Sequence, residues 1–405
     1  MKTKLNFIPT RIVVALLGML SAASAPGQGQ TASTRIGELQ FTHDFANGYP
    51  TKETVEKLYD ERDFQRACQA YLWSIPAVSF AQWQHGQASF GAGNGDIAAI
   101  LSYGDRLGIL TPNATTPYYI VFDDLSSGPL VIDLPPNVRG GLSDGWQRAL
   151  PNTTRSAKYL VLGPGQEAPT DVAGFEVRRC PTFNMFVGIR ITVTDPREAA
   201  ALLAQFRAYP YAQRANPPAP KIVGPQGKAW SAMPPRGMEY WRRLNDVIQR
   251  EPIDERDHFF HAMLKPLGLE KGQPFKPDAR QTKILTEAAL VGEAMARANT
   301  FKRRFAGMMY RPDSYWHYAL ALDADHPDAF WDLLERPGST KPSAPAPTWL
   351  PSIPVRRLPT SAPTPTSPVT GSMARAPTGC TFRRTLRRSY SGRLLSTMWI
   401  RARCW

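Results

Sequence analysis

Apolar positions between Thr54 and Trp73 recur at three- and four-residue spacing through Phe64, Ala67, Cys68, Tyr71 and Leu72, the period of a helix with one buried face. Pro76 is expected to end that helix, because proline brings no amide hydrogen to the ladder. Between Ile100 and Thr194 the period changes. Short runs rich in β-branched and aromatic residues, at Tyr118–Phe122, Leu130–Leu134, Tyr159–Leu162, Phe175–Arg178 and Phe186–Val193, are separated by Pro, Gly, Ser and Asp. This is the pattern of an antiparallel sandwich or barrel. Asp195-Pro196 then offers an N-cap and a first-turn proline for a helix running to about Arg207. Pro210 to Pro235 is Pro-rich and predicts an extended connection. Helical periodicity returns at Gly237–Gln249, Glu255–Leu264 and Pro277–Phe305, and Ser314–Leu322 reads as a short strand. In the last of these helices Ile284, Leu285, Ala288, Leu290, Val291, Ala294 and Met295 form the expected buried stripe. There is no internal repeat.

The first residues have a different pattern. Lys2, Lys4 and Arg11 precede an apolar stretch from Ile12 to Leu20 that is too short to span a bilayer, and small residues follow it. Residues 1–23 therefore read as a signal peptide, with cleavage after Ser21-Ala22-Ala23. The expected location is periplasmic or secreted, with no transmembrane helix after leader cleavage. Cys68 and Cys180 in the body are expected to be two separately buried thiols, since Cys68 falls on the apolar side of its helix.

Charge first suggests an anionic partner, then withdraws the suggestion. The chain carries 48 Lys+Arg against 34 Asp+Glu, but twelve of the basic residues and none of the acidic ones lie after Glu335. The first 335 residues hold 36 basic and 34 acidic groups, and three of those positives belong to the leader. A nearly neutral body lacks the surplus that a nucleic-acid groove requires, so no nucleic-acid partner is expected.

Candidate chemistry is sparse. Thr111-Pro-Asn-Ala-Thr-Thr-Pro-Tyr118 is a polar turn feeding an aromatic strand, where Asn113, Thr115 and Tyr118 could converge on a ligand; Asn and Thr beside Pro also make ordinary turns. Asp144 and Trp146 add a carboxylate and a stacking surface, although a core tryptophan is the plainer reading. These five residues are the candidate ligand contacts. Asp123 and Asp124 should point to opposite faces and form a solvated strand end. His258 and His261 share one helix face, but the helix offers no third ligand, so no metal is assigned there. No Gly-x-Ser-x-Gly elbow, phosphate-binding loop or dinucleotide fingerprint occurs; Gly91-Ala-Gly-Asn-Gly95 lacks both the preceding strand and the lysine. No cofactor is assigned.

The order of several segments resembles a bacterial family. They are Ala67-Cys-Gln-Ala-Tyr-Leu-Trp-Ser-Ile-Pro76, Leu110-Thr-Pro-Asn-Ala-Thr-Thr-Pro-Tyr118, Ser127-Gly-Pro-Leu-Val131, Asp144-Gly-Trp-Gln-Arg148, Lys158-Tyr-Leu-Val161, Met263-Leu-Lys-Pro-Leu-Gly268, Pro274-Phe-Lys-Pro-Asp278 and Ala288–Arg297. The family pairs domain of unknown function 1254 with domain of unknown function 1214, and the resemblance runs from about Thr51 to Glu335. It implies export, a β-rich first domain, a helical connection and a second β-rich domain.

The resulting expectation is an α+β chain. An antiparallel β-sandwich first domain with flanking helices (51–209) is followed by a Pro-rich and helical connector (210–312), the start of a truncated second β-domain (313–335) and a basic, disordered tail (336–405). The tail reads as frameshifted. Back-translating Glu335–Lys341 and joining the third base of each codon to the next two allows Ala-Ala-Trp-Phe-Tyr-Glu. The same treatment of Gly379–Arg401 allows a run containing Pro-Pro-Asn, Phe-Trp-Ser and Tyr-Asp, which resembles core strands of the family's second domain. Two function classes follow: a small-molecule site on the first β-domain, enzymatic or purely binding, or an envelope protein whose sandwich faces meet a protein partner. A non-functional truncated product is the third outcome.

Overall fold

The computed structural model describes residues 29–109, 112 and 115–301, with side chains to Asn299. The expected leader, Asn113, the strand at Ser314–Leu322, the second domain and the tail lie outside the described residues. The chain forms two compact units, the first ending at Arg66 and the second starting at Ala67.

In the first unit β1 (Gln30–Thr34) and β2 (Gly37–Phe41) make an antiparallel hairpin. The first turns of helix α1 (Lys52–Ala88) belong to the same unit. The Thr54 hydroxyl accepts the Gln40 amide at 2.8 Å, and Lys57 Nζ donates to the Glu38 carbonyl at 2.7 Å, tying helix to hairpin.

The second unit is a two-sheet sandwich with helices, the expected α+β class. One sheet has the order β11 (Ile222–Val223), β3 (Ile97–Ile100), β4 (Tyr118–Asp124), β9 (Asn184–Ile191), β6 (Val138–Asp144). The other runs β10 (Arg207–Pro210), β5 (Leu130–Leu134), β7 (Ala157–Leu162), β8 (Glu176–Arg179). Most pairs are antiparallel; β11 with β3 and β7 with β8 are parallel, at sheet edges.

Alternation along the strands builds two cores. Tyr119, Val121, Val187 and Ile189 point inward and meet Ile132, Leu134, Tyr159 and Val161 of the facing sheet, with Leu202 and Phe206 from helix α3 (Pro196–Leu203) and the residues just after it. Tyr118, Ile120, Phe122 and Phe186 point outward and are covered by Phe80, Trp83 and Phe90, from α1 and just beyond. Each side chain buried in this way contributes roughly 1.5–3 kcal/mol before conformational entropy is set against it.

Helix α1 does not stop at Pro76; it continues to Ala88. A mid-helix proline costs about 3 kcal/mol in isolation. Here side chains add hydrogen bonds to backbone carbonyls on either side of it. The Tyr71 carbonyl accepts the hydroxyls of Ser74 and Tyr240, at 3.3 and 2.8 Å, and the Pro76 carbonyl accepts Gln147 Nε2 at 2.8 Å.

Helices α4 (Met238–Arg250), α5 (His258–Leu264) and α6 (Ala279–Phe301) follow a short α2 (Tyr103–Arg106) and α3 in chain order. Ile284, Leu285, Ala288, Ala289 and Ala296 are buried in α6, and Trp241 Nε1 donates to the Leu285 carbonyl at 2.7 Å. Leu290, Ala294 and Met295 face solvent, so the buried stripe is narrower than the sequence pattern predicts. Glycine makes the close approach possible: a Cβ on Gly292 would sit 2.6 Å from the Tyr71 ring. Among the described residues no helix is long and apolar enough to cross a membrane.

Candidate functional site

The polar cavity of the second unit opens over the outward face of the five-stranded sheet, at the ends of β4 and β9. Its volume is about 260 Å³, and its walls come from the last turns of α1, the Ala92–Asn94 loop, Phe122, Gly145, Asn184 and the C-terminal half of α4. The outward strand face supplies apolar flooring, and both helices turn polar side chains toward it.

Helix α1 contributes Gln84 and Gln87, three residues apart and therefore neighbours on one face. Gln87 is only 2% exposed, and its Nε2 has no hydrogen-bond partner. Gln84 Nε2 lies 3.4 Å from both Asn94 Oδ1 and Asn184 Oδ1, long for a hydrogen bond in each case. Helix α4 contributes Arg243 and Arg250, seven residues apart and again on one face. Arg243 Nε is buried without a partner, while its Nη1 lies 3.8 Å from Asp246. Arg250 Nη2 donates to Asn184 Oδ1 at 3.2 Å and sits 3.6 Å from Asp124.

Glu251 holds this arrangement together. Its backbone amide closes α4 on the Val247 carbonyl, and its carboxylate turns to the β9 entrance. There it accepts the amides of Phe183 (2.6 Å) and Asn184 (3.0 Å) and Asn184 Nδ2 (2.6 Å). Because Nδ2 is committed to the carboxylate, Asn184 Oδ1 faces the cavity donors. Burial pushes the Glu251 carboxyl upward, and the hydrogen bonds from Asn184 and Phe183 pull it back. Lys271 Nζ caps the end of α4 by donating to the carbonyls of Ile248, Gln249 and Glu251, as a cation at a helix C-terminus should.

Of the residues singled out in the sequence, the four that the structure describes lie elsewhere, and Asn113 is outside the described residues. Tyr118 packs in the apolar cluster beneath α1, and Thr115 is exposed. Asp144 and Trp146 are brought together: Asp144 Oδ1 accepts the amides of Trp146 (2.9 Å) and Arg148 (2.8 Å), and its Oδ2 pairs with Arg148 Nε at 2.6 Å. Arg148 also reaches Asp254 at 3.0 Å. Trp146 packs on Trp73 (4.9 Å between rings) with the Arg256 guanidinium 5.7 Å above it. None of these four lines the polar cavity.

Asp123 and Asp124 do point to opposite faces, but the solvated strand end holds only for Asp124. Asp123 follows Tyr119 and Val121 onto the inward face and is 7% exposed. Its Oδ1 accepts the Asp124 amide at 2.8 Å. Burial pushes its carboxyl up to about 6, with the charges of Asp124 and Asp96 adding to the effect.

The two histidines part company. His258 is exposed 3.7 Å from Glu255, whereas the His261 ring edge packs on Trp73 at 5.5 Å. Among the described residues no group of three or more His, Cys, Asp or Glu side chains is arranged to hold a metal ion. Cys68 and Cys180 are both buried thiols, and burial pushes Cys180 up to about 12, far from a reactive thiolate.

Gln84, Gln87, Asn184, Arg243, Arg250 and Glu251 carry no local motif. The readable signals were the two glutamines on the apolar helix, hidden by the expected stop at Pro76, and the two arginines at helical spacing on α4.

Comparison with known proteins finds a family model that matches part of the chain and a weakly similar solved structure. No curated protein matches the chain. The crystal structure of the VPA0106 protein from Vibrio parahaemolyticus is similar at 14% identity with a TM-score of 0.45; the overlap covers 61% of this chain and 62% of that one. The chain thus spans less than two thirds of that protein's length. Residues 99–210 match the family described as "Protein of unknown function (DUF1254)", a stretch that takes in most of the sandwich and, of the cavity's polar side chains, Asn184, while Gln84, Gln87, Arg243, Arg250 and Glu251 fall on either side of it.

Proposed function

We propose that this chain is an exported protein that binds a small polar molecule in the cavity between α1 and α4. The observation that carries this reading is the Gln87 amide, buried at the cavity wall with an unpaired Nε2. Leaving a buried polar group unsatisfied costs about 1–3 kcal/mol, and such groups in native proteins call for a functional explanation. A ligand that completes the hydrogen bonds of Gln87 and Arg243 supplies one. Both oxygens of Glu251 are already taken by N–H donors, which suits a positioning role rather than proton abstraction, so binding is favoured over turnover. Export rests on the basic and apolar pattern of residues 1–23.

The test is a thermal-shift screen of the full chain against sugars, organic acids, amino acids and nucleosides. A ligand at a hundred times its Kd stabilises the folded state by about 2.7 kcal/mol. The response should vanish in Val247→Phe, which fills the cavity from α4. A panel without a hit, or a shift that survives Val247→Phe, refutes the reading.

The likeness to the second domain of the family pair and a frameshift near Glu335 are part of the same proposal. They are supported by the back-translated segments and by a tail whose charged residues are all basic.

A further inference from the structure

We infer that the ligand of this cavity is a small carboxylate anion, held by the Gln87 amide and the guanidinium groups of Arg243 and Arg250. The inference rests on the binding role proposed above and names its chemistry.

By hydrogen-bond role, the cavity's polar atoms divide unevenly. The unpaired buried atoms are both N–H donors, Gln87 Nε2 and Arg243 Nε. The loosely paired atoms are donors too: Gln84 Nε2 is shared between two oxygens at 3.4 Å, and Arg250 Nη2 reaches Asn184 Oδ1 at 3.2 Å. Among the acceptors, Glu251 and Asn184 are already engaged. Glu251 takes three N–H groups, and by binding Asn184 Nδ2 it fixes the Asn184 oxygen against Arg250 and Gln84. What Gln87 Nε2 and Arg243 Nε lack is therefore an acceptor. A carboxylate supplies two oxygens and no proton, and it matches the planar fork of arginine.

Charge and size narrow the choice further. Arg243 and Arg250 face Asp246 at 3.8 Å and Asp124 at 3.6 Å, and Glu251 adds a third carboxylate already held by N–H donors, so with no surplus of positive charge a single added negative charge is more easily accommodated than the doubly charged form of phosphate. A polyol fits less well, because each hydroxyl brings a proton that needs an acceptor. A volume of about 260 Å³ lies at the small end of ligand pockets and suits a molecule of a few carbons.

The experiment is calorimetric titration of the full chain with acetate, succinate and citrate, with phosphate, glucose and sodium chloride at matched ionic strength as comparators. At least one carboxylate should bind saturably. Its affinity should fall about tenfold or more in Arg250→Gln and in Gln87→Leu, and less in Arg250→Lys, which keeps the charge and loses the fork. Arg250 is half exposed, so its variants carry the test should Gln87→Leu fail to fold. Glucose binding that depends on Gln87, with no carboxylate binding, would overturn the anion assignment and leave the binding role standing. Phosphate binding more tightly than every carboxylate, or sodium chloride reproducing the signal, would overturn it as well. If no probe binds and the wider screen is also silent, both readings fall.

Discussion

Asp123 shows how one carboxyl reports its surroundings. Strand alternation sends it to the inward face behind Tyr119 and Val121, and burial there, reinforced by Asp124 and Asp96, pushes its carboxyl from the ordinary 3.8 up to about 6. Between those two values the folded state holds more protons than the unfolded one, so stability falls as pH rises through the window. Above about 6 the penalty is complete and amounts to at most about 3 kcal/mol. Asp123→Asn keeps an acceptor for the Asp124 amide and removes the charge. It should therefore stabilise the protein by about 1–3 kcal/mol at a pH near 7.5 and give almost no gain near pH 4; urea denaturation at the two pH values checks this, and an equal effect at both would show that the carboxyl is not perturbed. The opposite facing of Asp123 and Asp124 was legible from period-two alternation alone. The burial of Asp123 was not, because it depends on a second sheet closing over that face.

Helices and strands were legible where their own residues decide, and obscure where partners do. The runs at Tyr118, Leu130, Tyr159, Phe175 and Phe186 declare themselves by β-branched and aromatic content. Strand β6 does not, since Val138–Asp144 contains two glycines. Gly140 has φ near +146°, and a Cβ there would lie 1.9 Å from the Gly188 carbonyl, so the feature that weakens the strand signal is what lets β6 pair with β9. Helix α1 runs through Pro76, where distant Tyr240 and Gln147 add hydrogen bonds to the Tyr71 and Pro76 carbonyls, contacts that no window of sequence reveals. Helix α6 gives a controlled comparison within one element. Leu285 is fully buried and Leu290 is 70% exposed, although both belong to the same apolar pattern. Leu285→Asp should cost about 3–5 kcal/mol by burying an unpaired charge, whereas Leu290→Asp should stay within about 0.5 kcal/mol. Guanidinium denaturation of the two variants separates the faces; similar midpoints would show that α6 does not pack as described.

At the scale of the whole molecule, the polar cavity depends on long-range assembly. Gln87 and Arg250 are separated by most of the sandwich, and only the fold brings them to one wall. The electrostatics of the chain are equally uneven. Nearly all of its +14 charge comes from the residues after Glu335, which carry twelve Lys and Arg and no acid among many Pro, Ser and Thr. Such a composition lacks an apolar period. A genuine Pro-rich tail and a shifted reading frame both produce it, but they differ in what the neighbouring frame encodes. In back-translation two bases of every shifted codon are nearly fixed by the protein sequence and only the wobble base is chosen. That freedom produces a few matches; Pro-Pro-Asn, Phe-Trp-Ser and Tyr-Asp in the order expected under the proposed second domain are a stronger demand. Resequencing the locus across the codons for Leu334 to Pro337 should reveal an inserted or deleted base and a continuous frame into that second domain. An unbroken frame as written, together with tail peptides found by mass spectrometry, would refute the frameshift and make the basic tail a true part of the protein.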